Sequence, residues 1–273
     1  MKILYERNKR NADRIVRCYL TLDCTSNCSY CSAGVPHIAW SVKKVWIPAE
    51  EWAEGLNRRN RAAVLAGGEP FLYPEFGKLI SLINRTYPCW IYTNLELDPK
   101  PLIENATKPF PILASLHQWC DFELWYKHVQ ALWDAGHFLK FHIVKAGNYK
   151  KVTDFLEAKG IVGKYSTKLC GDQNVGLKSR GEATNKQYPK VDCSSRIYLF
   201  GPDGFRYSCV SRMGRQEQLW KQEHITDEDS GDWIFTSCDN YGLCTGCDNN
   251  IEGKVVYGND SPNDTDKATD KEG

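Results

Sequence analysis

The chain has 273 residues, enough for one large domain with a small addition. Hydrophobic residues make up 42% and charged residues 25% of it, as in globular proteins with a substantial core. The 35 basic and 34 acidic residues give a formal net charge of +1, which excludes a protein held to nucleic acid by a general excess of positive charge. The sequence shows neither an apolar run of the ~18 residues that span a membrane nor a signal peptide, so we expect a cytoplasmic protein without membrane contact.

Short apolar runs alternate with amphipathic segments over the first two thirds of the chain. Strands are predicted at 16–22, 62–66, 90–95, 112–116, 138–144 and, more weakly, near 163–169. Helices are predicted to begin after Pro48 and to cover 122–135 and 149–159. The alternation predicts an α/β fold whose parallel sheet forms a partial (β/α)6 barrel of the TIM type, with functional residues at the carboxyl ends of the strands.

The pattern changes after the core domain predicted at residues 1–170. Residues 171–190 are polar and predict a linker. Residues 191–257 are rich in Cys, Gly and aromatic residues, which predicts a small Cys-rich domain, and residues 258–273 predict a disordered acidic tail.

Three of the 12 cysteines, Cys24, Cys28 and Cys31, directly follow the first predicted strand. In a cytosolic chain, clustered cysteines indicate metal binding or catalysis rather than disulfides. Three thiolates suit an iron–sulfur cluster that keeps one iron open, whereas zinc requires a fourth ligand, for which His37 is the local candidate. The residues alone favour the cluster and leave zinc as the alternative.

The spacing Cys24-x3-Cys28-x2-Cys31, with Tyr30 before the last cysteine, resembles the signature of the radical S-adenosylmethionine (SAM) superfamily. The resemblance implies that these cysteines hold a [4Fe–4S] cluster whose open iron binds the amino and carboxylate groups of SAM. In that family the cleavage of SAM by an electron yields a 5′-deoxyadenosyl radical, which abstracts hydrogen from a substrate C–H bond.

Further matches follow the later strands. The segment Gly67, Gly68, Glu69 and Pro70 resembles the family's GGE segment, which binds the SAM amino group, although read alone it also fits a tight turn. Weaker resemblances to SAM-contacting positions are found at Thr93, Asn94, Ser115, Asn148 and Arg180. A helix cap at Asn148 and a solvated charge at Arg180 are the structural alternatives.

A second group of cysteines lies in the small domain: Cys193, Cys209, Cys238, Cys244 and Cys247. The sequence Gly201-Pro202-Asp203-Gly204 predicts a hairpin between 197–200 and 205–208. The pattern resembles the twitch and SPASM extensions of radical SAM enzymes. It implies an auxiliary [4Fe–4S] cluster on Cys193, Cys209, Cys244 and Cys247, with Cys238 as a substitute ligand and zinc as the alternative metal.

The resemblance implies an oxidoreductase that dehydrogenates or cross-links a small molecule or peptide, with the auxiliary cluster accepting an electron. An external reductant of the flavodoxin or ferredoxin type would supply the first electron. His117, Lys145 and Tyr165 are the candidates for an acid or base near the strand ends.

Other functions stay open. Arg58, Arg59 and Arg61, with nine tryptophans, leave modification of a nucleotide or nucleic-acid base as an alternative. Outside enzymology, a zinc-stabilised binding module or an iron–sulfur electron carrier would also account for the cysteines.

Overall fold

The computed structural model describes residues 15–26, 28, 45–59, 61–144, 149–161, 165–168, 191–195, 198–207, 213, 223–228, 234–238 and 253–257. For residues 144, 165–168, 191–195, 234–238 and 253–257 it describes the backbone alone. Within these ranges, no helix has the length and apolar character that crossing a membrane requires.

Six parallel strands, adjacent in chain order, form most of the larger sheet. They are β1 (Val16–Thr21), β2 (Ala63–Gly67), β3 (Cys89–Thr93), β4 (Pro111–Leu116), β5 (Phe138–Val144) and β6 (Tyr165–Lys168). Because parallel neighbours need a crossover between them, the strands are separated along the chain by helical segments. The predicted α/β class and the six predicted strands are confirmed.

The crossover helices are α1 (Ala49–Arg59), α2 (Phe76–Leu82), α3 (Lys100–Asn105), α4 (Phe122–Asp134) and α5 (Tyr149–Ala158). Helix α1 has acidic residues in its first turn and basic residues in its last, which complements the helix dipole. Asp121 caps α4 by accepting hydrogen bonds from the backbone N–H groups of Glu123 and Leu124. The sequence did not predict α2 and α3, which have seven and six residues.

One face of the sheet packs against these helices. Alternate strand residues, such as Cys18, Leu65, Ile91 and Phe141, are buried in a single apolar cluster with Trp52 and other helix residues. Since successive side chains of a strand point to opposite faces, the residues between them lie on the face away from the helices.

Five shorter strands follow: β7 (Val191–Ser195), β8 (Tyr198–Phe200), β9 (Arg206–Tyr207), β10 (Ile234–Cys238) and β11 (Gly253–Tyr257). Strands β10, β7 and β11 form a separate antiparallel sheet. The predicted hairpin is present as β8 and β9, and β8 lies parallel to β1 at the edge of the larger sheet. The sequence did not indicate this pairing.

The hairpin is fixed to α1 by a buried ionic contact. The Glu223 carboxylate forms an ion pair with Arg59 at 2.7 Å and accepts a hydrogen bond from Arg206 at 2.8 Å, so one carboxylate joins the helix to β9. Residues 198–207, which the sequence analysis placed in the small domain, thus extend the sheet of the core. The linker at 171–190 and the tail at 258–273 lie outside the described residues, and the domain boundaries stay a prediction.

Candidate active site at the carboxyl ends of the strands

Main-chain hydrogen bonds join the segment after β2 to the start of the three-cysteine loop after β1. The N–H of Gly68 donates to the Thr21 carbonyl at 3.0 Å, and the N–H of Glu69 donates to the Asp23 carbonyl at 2.7 Å. A Cβ on Gly68 would lie 2.2 Å from the Asp23 carbonyl oxygen, so a glycine is required for this approach. The predicted GGE segment therefore supports the loop that carries Cys24.

The Glu69 side chain is fully buried and ties together three segments. One carboxylate oxygen accepts from the Thr93 hydroxyl at 2.8 Å and from the Phe71 N–H at 3.2 Å, and the other accepts from the Asn94 N–H at 2.8 Å. Burial raises the pKa of Glu69 to about 7, although these hydrogen bonds act to lower it. All of these partners are protein groups, which gives Glu69 a positioning role.

Asn94 connects the end of β3 to the cysteine loop. Its side-chain amide donates to the Thr25 hydroxyl at 2.8 Å and lies 3.3 Å from the Ser26 hydroxyl. The next residue, Leu95, has a φ of 56°, an unusual value for a residue with a Cβ. After this bend comes Glu96, whose N–H donates to the side-chain oxygen of Asn94 at 3.1 Å. The structure thus brings the predicted residue Asn94 to the cysteine loop.

The two described thiols of the loop are in reduced form. Cys24 is half-buried and Cys28 is 8% exposed, and neither is in a disulfide. The backbone N–H of Ser26 points to the Cys24 sulfur at 3.5 Å, a contact that favours a thiolate. Cysteines outside disulfides, on a loop fixed by two strand ends, fit a metal or an iron–sulfur cluster with thiolate ligands.

Glu96 is a site residue that the sequence analysis missed. Its carboxylate accepts from the Ser26 hydroxyl at 2.9 Å and from the Cys120 thiol at 3.0 Å. Burial raises the pKa of Glu96, but hydrogen bonds from Thr25, Cys120 and Ser26 outweigh burial and leave the pKa below its usual value. An ionised carboxylate therefore lies beside the cysteine loop.

The loop after β4 adds an aromatic pair to this group. The ring of His117 is stacked on that of Trp119 at 5.1 Å between centroids, and the Trp119 indole N–H lies 3.4 Å from the Ser26 hydroxyl. Burial lowers the pKa of His117 to about 4, against the opposing effect of Glu96. Both burial and Glu96 raise the pKa of Cys120, so this thiol stays protonated.

A positional signal would have found Glu96 and Cys120. Each comes within four residues of the last residue of a parallel strand, Thr93 or Leu116, at the edge where loops of such sheets form sites. Their types alone gave no indication, since neither belongs to a motif.

The remaining predicted residues are placed as follows. Pro70 begins a short 3₁₀ turn (Pro70–Leu72), and Ser115 on β4 pairs in register with His142 on β5. For Tyr165, Cys193 and Cys238 the backbone alone is described, and outside the described residues lie Tyr30, Cys31, Lys145, Asn148, Arg180, Cys209, Cys244 and Cys247.

A solved structure, native anSMEcpe with bound AdoMet and the Cp18Cys peptide, superimposes on this chain with a TM-score of 0.52, at 15% identity over 80% of each chain. The chain therefore shares the fold of this solved structure. The predicted partial barrel is thereby confirmed.

Two further solved structures are similar to a lesser degree. Native anSMEcpe with bound AdoMet has a TM-score of 0.49 at 15% identity and covers 72% of this chain and 74% of its own. BtrN in complex with AdoMet and 2-DOIA has a TM-score of 0.42 at 17% identity, over 80% of this chain and 83% of its own. No protein-family model and no curated protein matches the chain.

Proposed function

We propose that this protein is a radical SAM enzyme, which cleaves SAM reductively and abstracts hydrogen from a substrate C–H bond. The observation that supports this most is the joint between the GGE segment and the cysteine loop. Two main-chain hydrogen bonds hold Gly68 and Glu69 against the residues that precede Cys24. In the radical SAM fold, these are the two segments that the resemblance assigns to SAM and to its cluster.

Three thiolates, Cys24, Cys28 and Cys31, would hold the SAM-binding [4Fe–4S] cluster. When bound, this cluster supplies the electron that cleaves SAM. The chain's own contribution is to fix the loop: Glu69 orients the GGE segment, and Asn94 donates to Thr25 between the first two cysteines. Main-chain atoms of the GGE segment would then bind the SAM amino group, since the Glu69 carboxylate is directed inward.

Glu96 and His117 would contact a bound ligand at the carboxyl ends of the strands. The low pKa of Glu96 keeps a negative charge beside the cysteine loop, where it would attract the ammonium group or a hydroxyl of a ligand. The pKa of about 4 keeps the His117 ring neutral near pH 7 and makes it a weak base, so its role here would be to hydrogen-bond a ligand rather than to hold a released proton.

The proposal includes an auxiliary [4Fe–4S] cluster that accepts an electron from the substrate, with Cys193, Cys209, Cys244 and Cys247 as ligands. The register of the small sheet favours Cys238 as a fifth candidate, because Cys193 pairs with Thr236, two residues from Cys238, on the neighbouring strand. The reaction would then be an oxidation of a small molecule or peptide, with a flavodoxin or ferredoxin as reductant. Zinc is the alternative metal at this site.

Anaerobic reconstitution followed by incubation with SAM and dithionite tests the proposal. The expected results are about eight irons per chain for two [4Fe–4S] clusters, or about four for one, and formation of 5′-deoxyadenosine. Cys28→Ala should abolish this product, whereas Cys89→Ala, at a buried thiol of β3, should retain it.

Three outcomes would contradict the proposal. A colourless protein that holds zinc would indicate a binding module. A brown protein that releases no 5′-deoxyadenosine would indicate an electron carrier. Product formation by Cys28→Ala would show that the three-cysteine loop is not the site of SAM cleavage.

A further inference from the structure

The face of the larger sheet that lies away from the helices carries aromatic and basic side chains. We call the surface formed by Arg17, Trp90, Tyr92, Phe138 and Lys140 the open face. Tyr92 is 42% exposed and Phe138 66% exposed, so two large aromatic rings on this face are in contact with solvent. Tyr92 lies one residue before the carboxyl end of β3, whereas Phe138 begins β5 at the amino end. Exposed aromatic rings on one sheet face are typical of a binding surface.

The charges on this face have one sign. The Lys140 ammonium lies 5.2 Å from the centre of the Trp90 ring, a cation–π contact. Arg17 acts electrostatically on the Tyr92 hydroxyl, lowering its pKa against the larger effect of burial, which raises it. Among the described strand residues of β1 to β5 that point to this face, none is acidic. The surface therefore attracts anions.

The strand register brings Tyr92 and Lys140 within the span of a single nucleotide. Tyr92 pairs with Leu113, and Leu113 pairs with Lys140. The backbones of Tyr92 and Lys140 therefore lie two strands apart, a distance of about 10 Å. Tyr92 precedes Asn94 by two residues, or about 7 Å, and Asn94 donates to the cysteine loop. A base on Tyr92 would thus lie beside the proposed site of hydrogen abstraction.

We infer that the open face binds a nucleotide, free or within a single strand, as the substrate of the proposed radical reaction. This inference rests on the proposed radical reaction and replaces its small-molecule or peptide substrate by a nucleotide, the alternative that the sequence analysis left open. The base would stack on Tyr92 and its phosphate would contact Lys140, two strands away. In a single strand, neighbouring nucleotides would reach Phe138 and Arg17. Stacking rings with cations beside them are the elements by which proteins hold single-stranded nucleic acid.

The experiment measures binding of a fluorescein-labelled decathymidylate to the anaerobic holoenzyme, with SAM present, by fluorescence anisotropy. Tyr92→Ala should weaken binding about tenfold, and Phe138→Ala should act in the same direction. Lys140→Glu should weaken binding and lower the slope of log K against log salt by about 0.7, the value for one lost phosphate contact.

Two matched controls lie away from the open face. Trp133→Ala removes an aromatic ring that is 37% exposed on α4, on the helix side of the sheet, and Lys127→Glu reverses an exposed charge on the same helix. Both should bind the oligonucleotide within about twofold of the wild type, because neither ring nor charge is near the proposed surface. Competition by thymidine 5′-monophosphate would assign a free nucleotide, and its failure would assign a single strand.

Equal binding by Tyr92→Ala, Phe138→Ala and the wild type would overturn the inference, as would equal affinity for a decaglutamate peptide. Formation of 5′-deoxyadenosine is measured on the same preparation. Normal SAM cleavage without oligonucleotide binding would refute the substrate class alone. Oligonucleotide binding without SAM cleavage would refute the proposed function alone.

Discussion

Each end of the parallel sheet buries an ionisable side chain, and the two side chains differ in their hydrogen bonds. At the carboxyl ends, Glu69 is fully buried and both of its oxygens accept hydrogen bonds. In the loop that leads to the amino end of β3, Arg85 is 6% exposed, and its three guanidinium nitrogens have no hydrogen-bond partner in the part of the chain that the structure describes.

Among the described residues, none supplies a counter-charge to Arg85. Its electrostatic neighbours are the thiols of Cys18 and Cys89, and burial raises the pKa of both, that of Cys89 to about 12, so they are neutral. Burial correspondingly lowers the pKa of Arg85. A buried ionisable group without partners lowers the stability of the fold, whereas one that accepts three hydrogen bonds fixes the segments that donate them. The carboxyl end is thus the organised end of this sheet.

The largest effect is expected from Gly68→Ala. The added Cβ would meet the main chain of Leu22 and Asp23, including a carbonyl oxygen at 2.2 Å, so the two segments must separate. Formation of 5′-deoxyadenosine should fall at least about 100-fold, since displacement of a reacting group by about 1 Å costs this much. Gly136→Ala is strained by a φ of 82°, but its Cβ would meet nothing within 4 Å, so it should lower stability by about 1 kcal/mol and retain activity. Full activity of Gly68→Ala would refute the role of the joint.

Glu69→Ala should cause the next largest loss, in stability. It leaves the buried N–H groups of Phe71 and Asn94 and the Thr93 hydroxyl without their acceptor. The free energy of unfolding should fall by about 3 kcal/mol, a decrease of roughly 10 °C in Tm. The control is Glu104→Ala, which removes an exposed ion pair with Lys100 and should change Tm by about 1 °C or less. Similar Tm values for the two variants would contradict the assignment.

Glu69 also predicts a pH dependence. Because the folded pKa of about 7 exceeds the usual value of 4.5, the folded protein holds a proton that the unfolded chain releases between these pH values. The stabilising contribution of this proton is complete below pH 4.5 and is lost as the pH rises through 7. The Tm of the wild type should therefore fall over this range relative to that of Glu69→Gln. Parallel pH profiles would show that the Glu69 carboxyl is not protonated in the folded state.

A smaller effect of opposite sign is expected from Arg85→Met. The substitution removes a buried charge without partners and keeps most of the apolar volume, so the free energy of unfolding should stay unchanged or rise by about 1 kcal/mol. Urea or thermal unfolding of the apoprotein measures it. A loss of more than about 2 kcal/mol would show that the guanidinium has a partner, and the contrast between the two ends would then disappear.

The smallest effect concerns thiol reactivity. Burial raises the pKa of Cys120, Cys18 and Cys89, but Cys120 is half-buried at the carboxyl end whereas the other two are buried. Alkylation by iodoacetamide, followed by peptide mass spectrometry, should label Cys120 several-fold faster. Glu96→Gln should increase this rate further, because Glu96 contributes to the raised pKa of Cys120. Faster labelling of Cys18 than of Cys120 would contradict the greater accessibility of the carboxyl end of the sheet.

The larger elements of the fold could be predicted because their signals are local. The β-strand runs and the amphipathic helices α4 and α5 were predicted to within about two residues, since periodicity and terminal glycines are visible in short windows. Helices α2 and α3 are too short for such a window. The pairing of β8 with β1 joins residues about 180 positions apart, and no local pattern encodes such a contact.

The site was predictable where chemistry depends on a motif, and not where it depends on proximity. Cys24, Cys28 and the GGE segment were found by spacing, and the structure places Gly68 and Glu69 against the start of the cysteine loop. The inward direction of the Glu69 carboxylate and the contact of Glu96 with Cys120 arise from the arrangement of neighbouring strand ends. Such contacts are visible only in three dimensions.

The bonds from Gly68 and Glu69 to the carbonyls of Thr21 and Asp23 have one more consequence. They join two loops through peptide groups, which every amino acid supplies, and only the glycine is constrained by sequence. Side chains around such a connection are free to drift over evolutionary time while the geometry persists. This accounts for a fold shared with a solved structure at 15% identity, although no protein-family model matches the chain.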